Sequence, residues 1–109
     1  MEMEDLQTFD EFIHAELQDP EFRLQYLMTA LEEFEKDKNP YFFLSSLKRI
    51  AEAKGGITKL AKESKVSRQN LYKVFSSKAM PKLDTLDSIL NALGFRLSVQ
   101  PLNPSLLAS

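Results

Sequence analysis

The chain has 109 residues, 43 % hydrophobic and 28 % charged, enough for one modest core with appendages, and its formal net charge is −2. Cysteine is absent, which excludes disulfides, thiolate metal sites and cysteine catalysis. No apolar run approaches the roughly 20 residues of a membrane span, and Met1 to Asp5 is acidic where a secretion signal would be basic and then apolar, so a soluble, cytoplasmic protein is expected.

Stop and start signals divide the chain into predicted helices. Thr8 and Glu11 fit a capping box, and Phe9, Phe12, Ile13 and Leu17 follow at helical spacing until Pro20 ends the run. Asp19, Pro20 and Glu21 open a second helix: Asp19 accepts free amide hydrogens, Pro20 already has a helical φ, and Glu21 suits the positive helix end. Its predicted inner stripe is Leu24, Leu27, Met28, Leu31 and Phe34. Asn39 and Pro40 repeat the start signal. The third helix shows Phe43, Leu44, Leu47, Ile50 and Ala51 on its apolar face and stops at Gly55 and Gly56.

Residues 57–76 read as a helix-turn-helix. Leu60 and Ala61 fall on the inner face of a short helix, Val66 plugs the turn, and Leu71 with Val74 lines the inner face of a second helix opened by Ser67. The outer face is then Arg68, Gln69, Tyr72 and Lys73. Arg can bond two acceptors on guanine, Gln a donor and an acceptor on adenine, and Lys neutralises phosphate. Thr58 and Lys59 sit at the amino end of the first motif helix, which favours an anion, while Ser77 and Lys78 follow the second and can flank another phosphate. An ordinary helical hairpin with a solvated face has the same spacing.

Charge distribution favours the DNA reading. Between Lys48 and Lys82 ten bases face only two acids, whereas residues 1–40 hold twelve acids and three bases. A basic pole surrounds the motif, as phosphate contact requires, and an acidic pole precedes it.

A last helix follows a polar loop at 76–81, carries Leu83, Leu86, Ile89, Leu90 and Leu93, and stops at Gly94. The tail then changes period. Phe95, Leu97 and Val99 alternate with Arg96, Ser98 and Gln100, a strand pattern closed by Pro101. A lone strand in a helical chain lacks a ladder partner, so the expected partner is a second copy, giving a homodimer that reads two half-sites roughly 34 Å apart. The competing reading is a frayed tail that packs its apolar side chains on the last helix.

Residues 55–76 and 85–99, with Ser67, Arg68, Leu71 and Tyr72 and the run Leu90 to Gly94 as the more specific pieces, resemble the antidote proteins of bacterial addiction modules. The likeness is to the HigA-like branch of the lambda-repressor-like (Xre-type) regulators. Asp19 to Glu21, Tyr26–Leu27 and Ala30 to Glu33 are similar to the same family's lead-in, so the likeness covers roughly residues 19–100. It implies an operator-binding antitoxin that holds a basic RelE/ParE-like ribonuclease toxin and represses their shared operon. One position departs from the family pattern: the turn residue that is commonly Gly is Lys65, which must adopt a left-handed conformation at about 1 kcal/mol or use another turn.

The expected fold class is therefore all-α: a lambda-repressor-like helix-turn-helix bundle with two extra N-terminal helices and a short C-terminal strand. The expected organisation is an acidic helical segment at 1–38, a DNA-binding domain at 39–94, and a strand and tail at 95–109. A stand-alone Xre-type regulator without a toxin is the alternative function. A helical interaction module working through its acidic half, with a motif that no longer binds DNA, is the reading from another class. No enzyme, cofactor or metal is expected. His14 has no second histidine and no cysteine with which to share a metal. The acid-rich stretches Glu2 to Asp5 and Glu32 to Asp37 lack a nucleophile and an oxyanion site, and Ser45, Ser46, Ser76 and Ser77 have no histidine nearby in sequence.

Overall fold

Three helices start where a short polar side chain stands in extended backbone and accepts an amide hydrogen of the turn it precedes. Thr8 Oγ1 accepts from Glu11 N at 3.0 Å, Asp19 Oδ1 from Glu21 N at 3.0 Å, and Ser67 Oγ from Asn70 N at 3.1 Å. Asn39 does related work, its Oδ1 taking the Tyr41 amide at 2.9 Å across Pro40. The computed structural model describes residues 8–108, in which the helices are α1 (Phe9–Glu16), α2 (Pro20–Asp37), α3 (Tyr41–Ala53), α4 (Ile57–Ser64), α5 (Arg68–Ser76) and α6 (Leu83–Ala92), followed by a 3₁₀ turn at Pro104–Ala108. The acidic lead Glu2 to Asp5 lies outside the described residues. No helix among those described is long and apolar enough to cross a membrane.

α3 is the hub. It packs against α1, α2, α4 and α5, while α6 joins the bundle through α4. Phe43, Leu44, Leu47, Ile50 and Ala51 are all buried, so the apolar face expected from sequence is the one the fold covers. Ser46 is buried with them, and its hydroxyl donates to Phe42 O at 2.8 Å, so its own polar group is satisfied within the helix. One continuous core runs from Ile13 and Leu17 through Leu27 and Ala30 to Leu60, Leu71, Ile89, Leu90 and Leu93.

Two expected stripes are rotated in the structure. On α1, Ile13 and Leu17 are buried, but Phe9 and Phe12 are exposed. On α2, Leu27 and Ala30 face α3 with Phe22 and Tyr26 beside them, and Leu24, Met28 and Leu31 are left at 42 %, 43 % and 36 % exposure. Periodicity defines an arc of apolar residues on α2 wider than one neighbouring helix can cover. The crossing of α3 decides which edge of that arc is buried. Leu83 is also exposed, because it opens α6 and side chains on a helix lean toward the N-terminal end, here beyond the bundle.

The C-terminal strand is absent. Gly94 stands at φ +94°, the Phe95 amide donates to Leu90 O at 2.8 Å, and the Phe95 side chain packs on the core. These are the marks of a glycine-terminated helix end whose second following residue covers the last turn. Phe95 therefore belongs to the α6 cap, and its place in an alternating pattern is coincidental. Residues 96–100 have no regular secondary structure, since no described segment offers them a ladder, and Val99 is 96 % exposed.

The rotation of α2 is testable. Leu27→Ala removes a side chain buried against α3 and is expected to cost about 2–5 kcal/mol in urea unfolding. Leu24→Ala is expected to cost less than half as much; equal losses would contradict the observed orientation.

Candidate nucleic-acid interface

Local chemistry sets the geometry of residues 54–78. α3 ends with the Gly56 amide donating to Ala51 O at 2.8 Å, and α4 starts at once from Gly56 with no side chain capping it. The first turn of α4, holding Thr58 and Lys59, thus keeps amide hydrogens that no side-chain cap consumes. Leu60 is buried and Ala61 half-buried against the core. α4 then stops at Lys65, which adopts the left-handed conformation (φ 62°, ψ 19°) and donates its amide to Ala61 O at 3.0 Å. Of the two outcomes open to a non-glycine residue at this turn, the chain takes the strained one.

Val66 packs half-buried under the turn, its amide held by Ser64 Oγ at 3.2 Å, and Ser67 caps α5. Leu71 is fully buried, with Val74 and Phe75 packed beside it. These anchors leave Arg68, Gln69, Tyr72 and Lys73 exposed together on the opposite face. Arg68 leans back along the helix: its guanidinium carbon lies 5.9 Å from the Tyr72 ring centroid and Nη2 is 3.4 Å from the Tyr72 hydroxyl. The contact is made on the exposed face of α5, between neighbours one turn apart.

The flanking residues fall at either end of the pair. Thr58 and Lys59 are exposed on α4, and Lys59 Nζ lies 3.7 Å from Glu63 Oε1, a solvated pair that holds Lys59 only weakly. Ser77 ends α5 and its Oγ accepts from Ala79 N at 3.0 Å; Lys78 beside it is exposed. Both Ser67 and Ser77 use an oxygen lone pair for the backbone and retain a hydroxyl proton that can be donated to an anion.

Two bases of the basic pole have structural duties that sequence spacing does not reveal. Arg49 turns toward α1, with Nη2 2.7 Å from Asp10 Oδ1 and its guanidinium 4.8 Å from the Phe9 ring centroid. Lys54 Nζ donates to Leu93 O at 3.1 Å and closes the carboxyl end of α6. Their partners lie 39 residues away in each case, so no local pattern signals them. Lys62, Lys65, Arg68, Lys73, Lys78 and Lys82 form no ion pair among the described residues.

A protein-family model described as "Probable addiction module antidote protein" matches residues 5–101. No curated protein and no solved structure matches the chain.

The left-handed Lys65 generates a prediction of its own. Lys65→Gly relieves the side-chain clash at that φ and is expected to stabilise the fold by up to about 1 kcal/mol. Thermal or urea unfolding is the measurement, and a clear loss of stability would show that the Lys65 side chain contributes more than its conformation costs.

Proposed function

The chain belongs to the addiction-module antidote family, and from that premise we propose that it binds a basic toxin protein and represses their common operon by binding operator DNA through α5. The observation that carries the DNA half of this reading is the joint exposure of Arg68, Gln69, Tyr72 and Lys73 on the face of α5 opposite Leu71, within a surface of unpaired bases. Arg68 and Gln69, in the first turn of α5, read base edges in the major groove; Tyr72 and Lys73 follow one turn later. Thr58 and Lys59 bind one phosphate at the open amino end of α4, and Ser67, Ser77 and Lys78 hold the backbone on either side of α5. The arrangement is read as lambda-repressor-like, with α4 and α5 as the motif pair. The protein acts by binding, without a cofactor or a catalytic step.

The toxin is proposed to be of the RelE/ParE kind, a nucleic-acid-directed basic protein suited to the acidic half of this chain. The operator-bound form is proposed to be a homodimer joined through the tail. Leu97 and Val99 are exposed there, beyond the Phe95 cap, and a second copy would cover the apolar surface that one chain leaves open.

Four measurements test the reading. With DNA from upstream of its own gene, Arg68→Ala or Gln69→Ala is expected to cost about 1–3 kcal/mol and to relax preference at one base pair. Lys59→Ala or Lys78→Ala is expected to weaken binding to every sequence alike and to flatten the salt dependence. Full affinity in the Arg68→Ala, Gln69→Ala double variant would remove α5 from the groove. Truncation after Arg96, which spares the Phe95 cap, is expected to give a monomer in sedimentation; a persistent dimer would place the contact elsewhere. Co-expression with the short open reading frame beside its gene is expected to relieve that product's growth arrest.

A further inference from the structure

The exposed stripe on α2 is not explained by the fold. Leu24, Met28 and Leu31 recur at intervals of four and three residues and so form one line along the helix, each at least 36 % exposed. Glu21, Glu32 and Glu35 stand within one helical turn of that line, all exposed and none in an ion pair among the described residues. The two bases within α2 are engaged elsewhere: Arg23 Nη1 donates to Leu17 O at 3.2 Å, and Lys36 Nζ lies 3.5 Å from Glu33 Oε1. α2 packs chiefly on α3 and makes no substantial contact with α4 or α5.

We infer that Leu24, Met28 and Leu31, rimmed by Glu21, Glu32 and Glu35, form the docking surface for the toxin, a basic protein that offers an apolar groove edged with Lys or Arg. The inference rests on the antidote reading and specifies its surface. Apolar residues at helical spacing are the anchors by which a helix lies in a groove, and the acidic rim selects a cationic partner. The same rim excludes the other occupants. Nucleic acid and anionic headgroups would meet like charge. A second copy stacked face to face would oppose three carboxylates to three, and a copy docked through its basic pole would cover the face proposed for DNA. Because the surface lies apart from α5, toxin and operator are held at once.

The test uses the full chain with the product of the adjacent open reading frame, in calorimetry and in growth rescue. One variant carries Leu24→Ser, Met28→Ser and Leu31→Ser, and a second carries Glu32→Lys and Glu35→Lys, leaving Glu21 in place at the amino end of α2. Both change exposed side chains and are expected to keep the thermal transition and full operator affinity, while toxin affinity falls at least tenfold and rescue is lost. The charge variant's loss should shrink as salt rises. If the unaltered chain does not bind that product, the antidote reading itself fails. If it binds and both variants bind equally well, only the assignment to α2 fails. Loss of dimer in the serine variant would instead make this face a contact between copies and overturn the inference. Should the serine variant not fold, the charge variant decides alone, since unchanged toxin affinity there would refute the rim.

Discussion

Burial of α3 is the constraint on which the rest of the structure depends. Phe43, Leu47 and Ile50 are fully buried and Leu44 very nearly so, which a 13-residue helix reaches only when neighbours cover it on several sides. α1 and α2 supply that cover at one flank and α4 and α5 at another. A helix so placed cannot shift without opening a cavity, and close-packed interiors resist such shifts. The motif helices are therefore oriented by the same side chains that hold the N-terminal helices, and the exposed face of α5 inherits its direction from Leu71 against the core.

Charge is arranged with similar economy. The acidic and basic halves of the chain touch between α1 and α3, where Arg49 meets Asp10 and the Phe9 ring. Arg49 is 28 % exposed but Asp10 is 81 % exposed, so this pair, like Lys59–Glu63, is open to solvent and screened by salt. Among the described residues the other two ion pairs, Lys36–Glu33 and Lys59–Glu63, lie each within one helix, and the remaining bases around α4 and α5 and the remaining acids along α2 stay unpaired. Such separation costs some stability through like-charge crowding and leaves each face selective for partners of opposite sign.

Two helix ends show how one backbone requirement is met in two ways. α6 ends at Gly94, where a positive φ carries no side-chain penalty, and Phe95 folds back over the last turn. α4 ends at Lys65 in nearly the same conformation with a full side chain, so the turn between the motif helices stores strain that glycine would remove. The extra cation beside the α5 cap stands where a phosphate-binding surface would gain from it.

Local chemistry made the helices legible from sequence: Thr8, Asp19 and Ser67 as caps, Gly55, Gly56 and Gly94 as stops, and the inward Leu60, Leu71 and Leu47 are all where their spacing puts them. The outward set on α5 was legible for the same reason, because an anchored inner face fixes the opposite one. Facts that depend on which surfaces meet were not legible. The α2 stripe was misoriented because hydrophobic period marks an apolar arc and only the crossing of α3 selects its buried edge. Phe95 alternated with its neighbours like a strand residue, yet the Leu90 carbonyl and the open core beside α6 claimed it. Arg49 and Lys54 counted as members of a basic pole until Asp10 and Leu93, distant in sequence, turned them inward. Periodicity and capping act over one or two helical turns, so sequence alone could determine them; contacts between helices depend on every helix at once, and only the tertiary structure decided those.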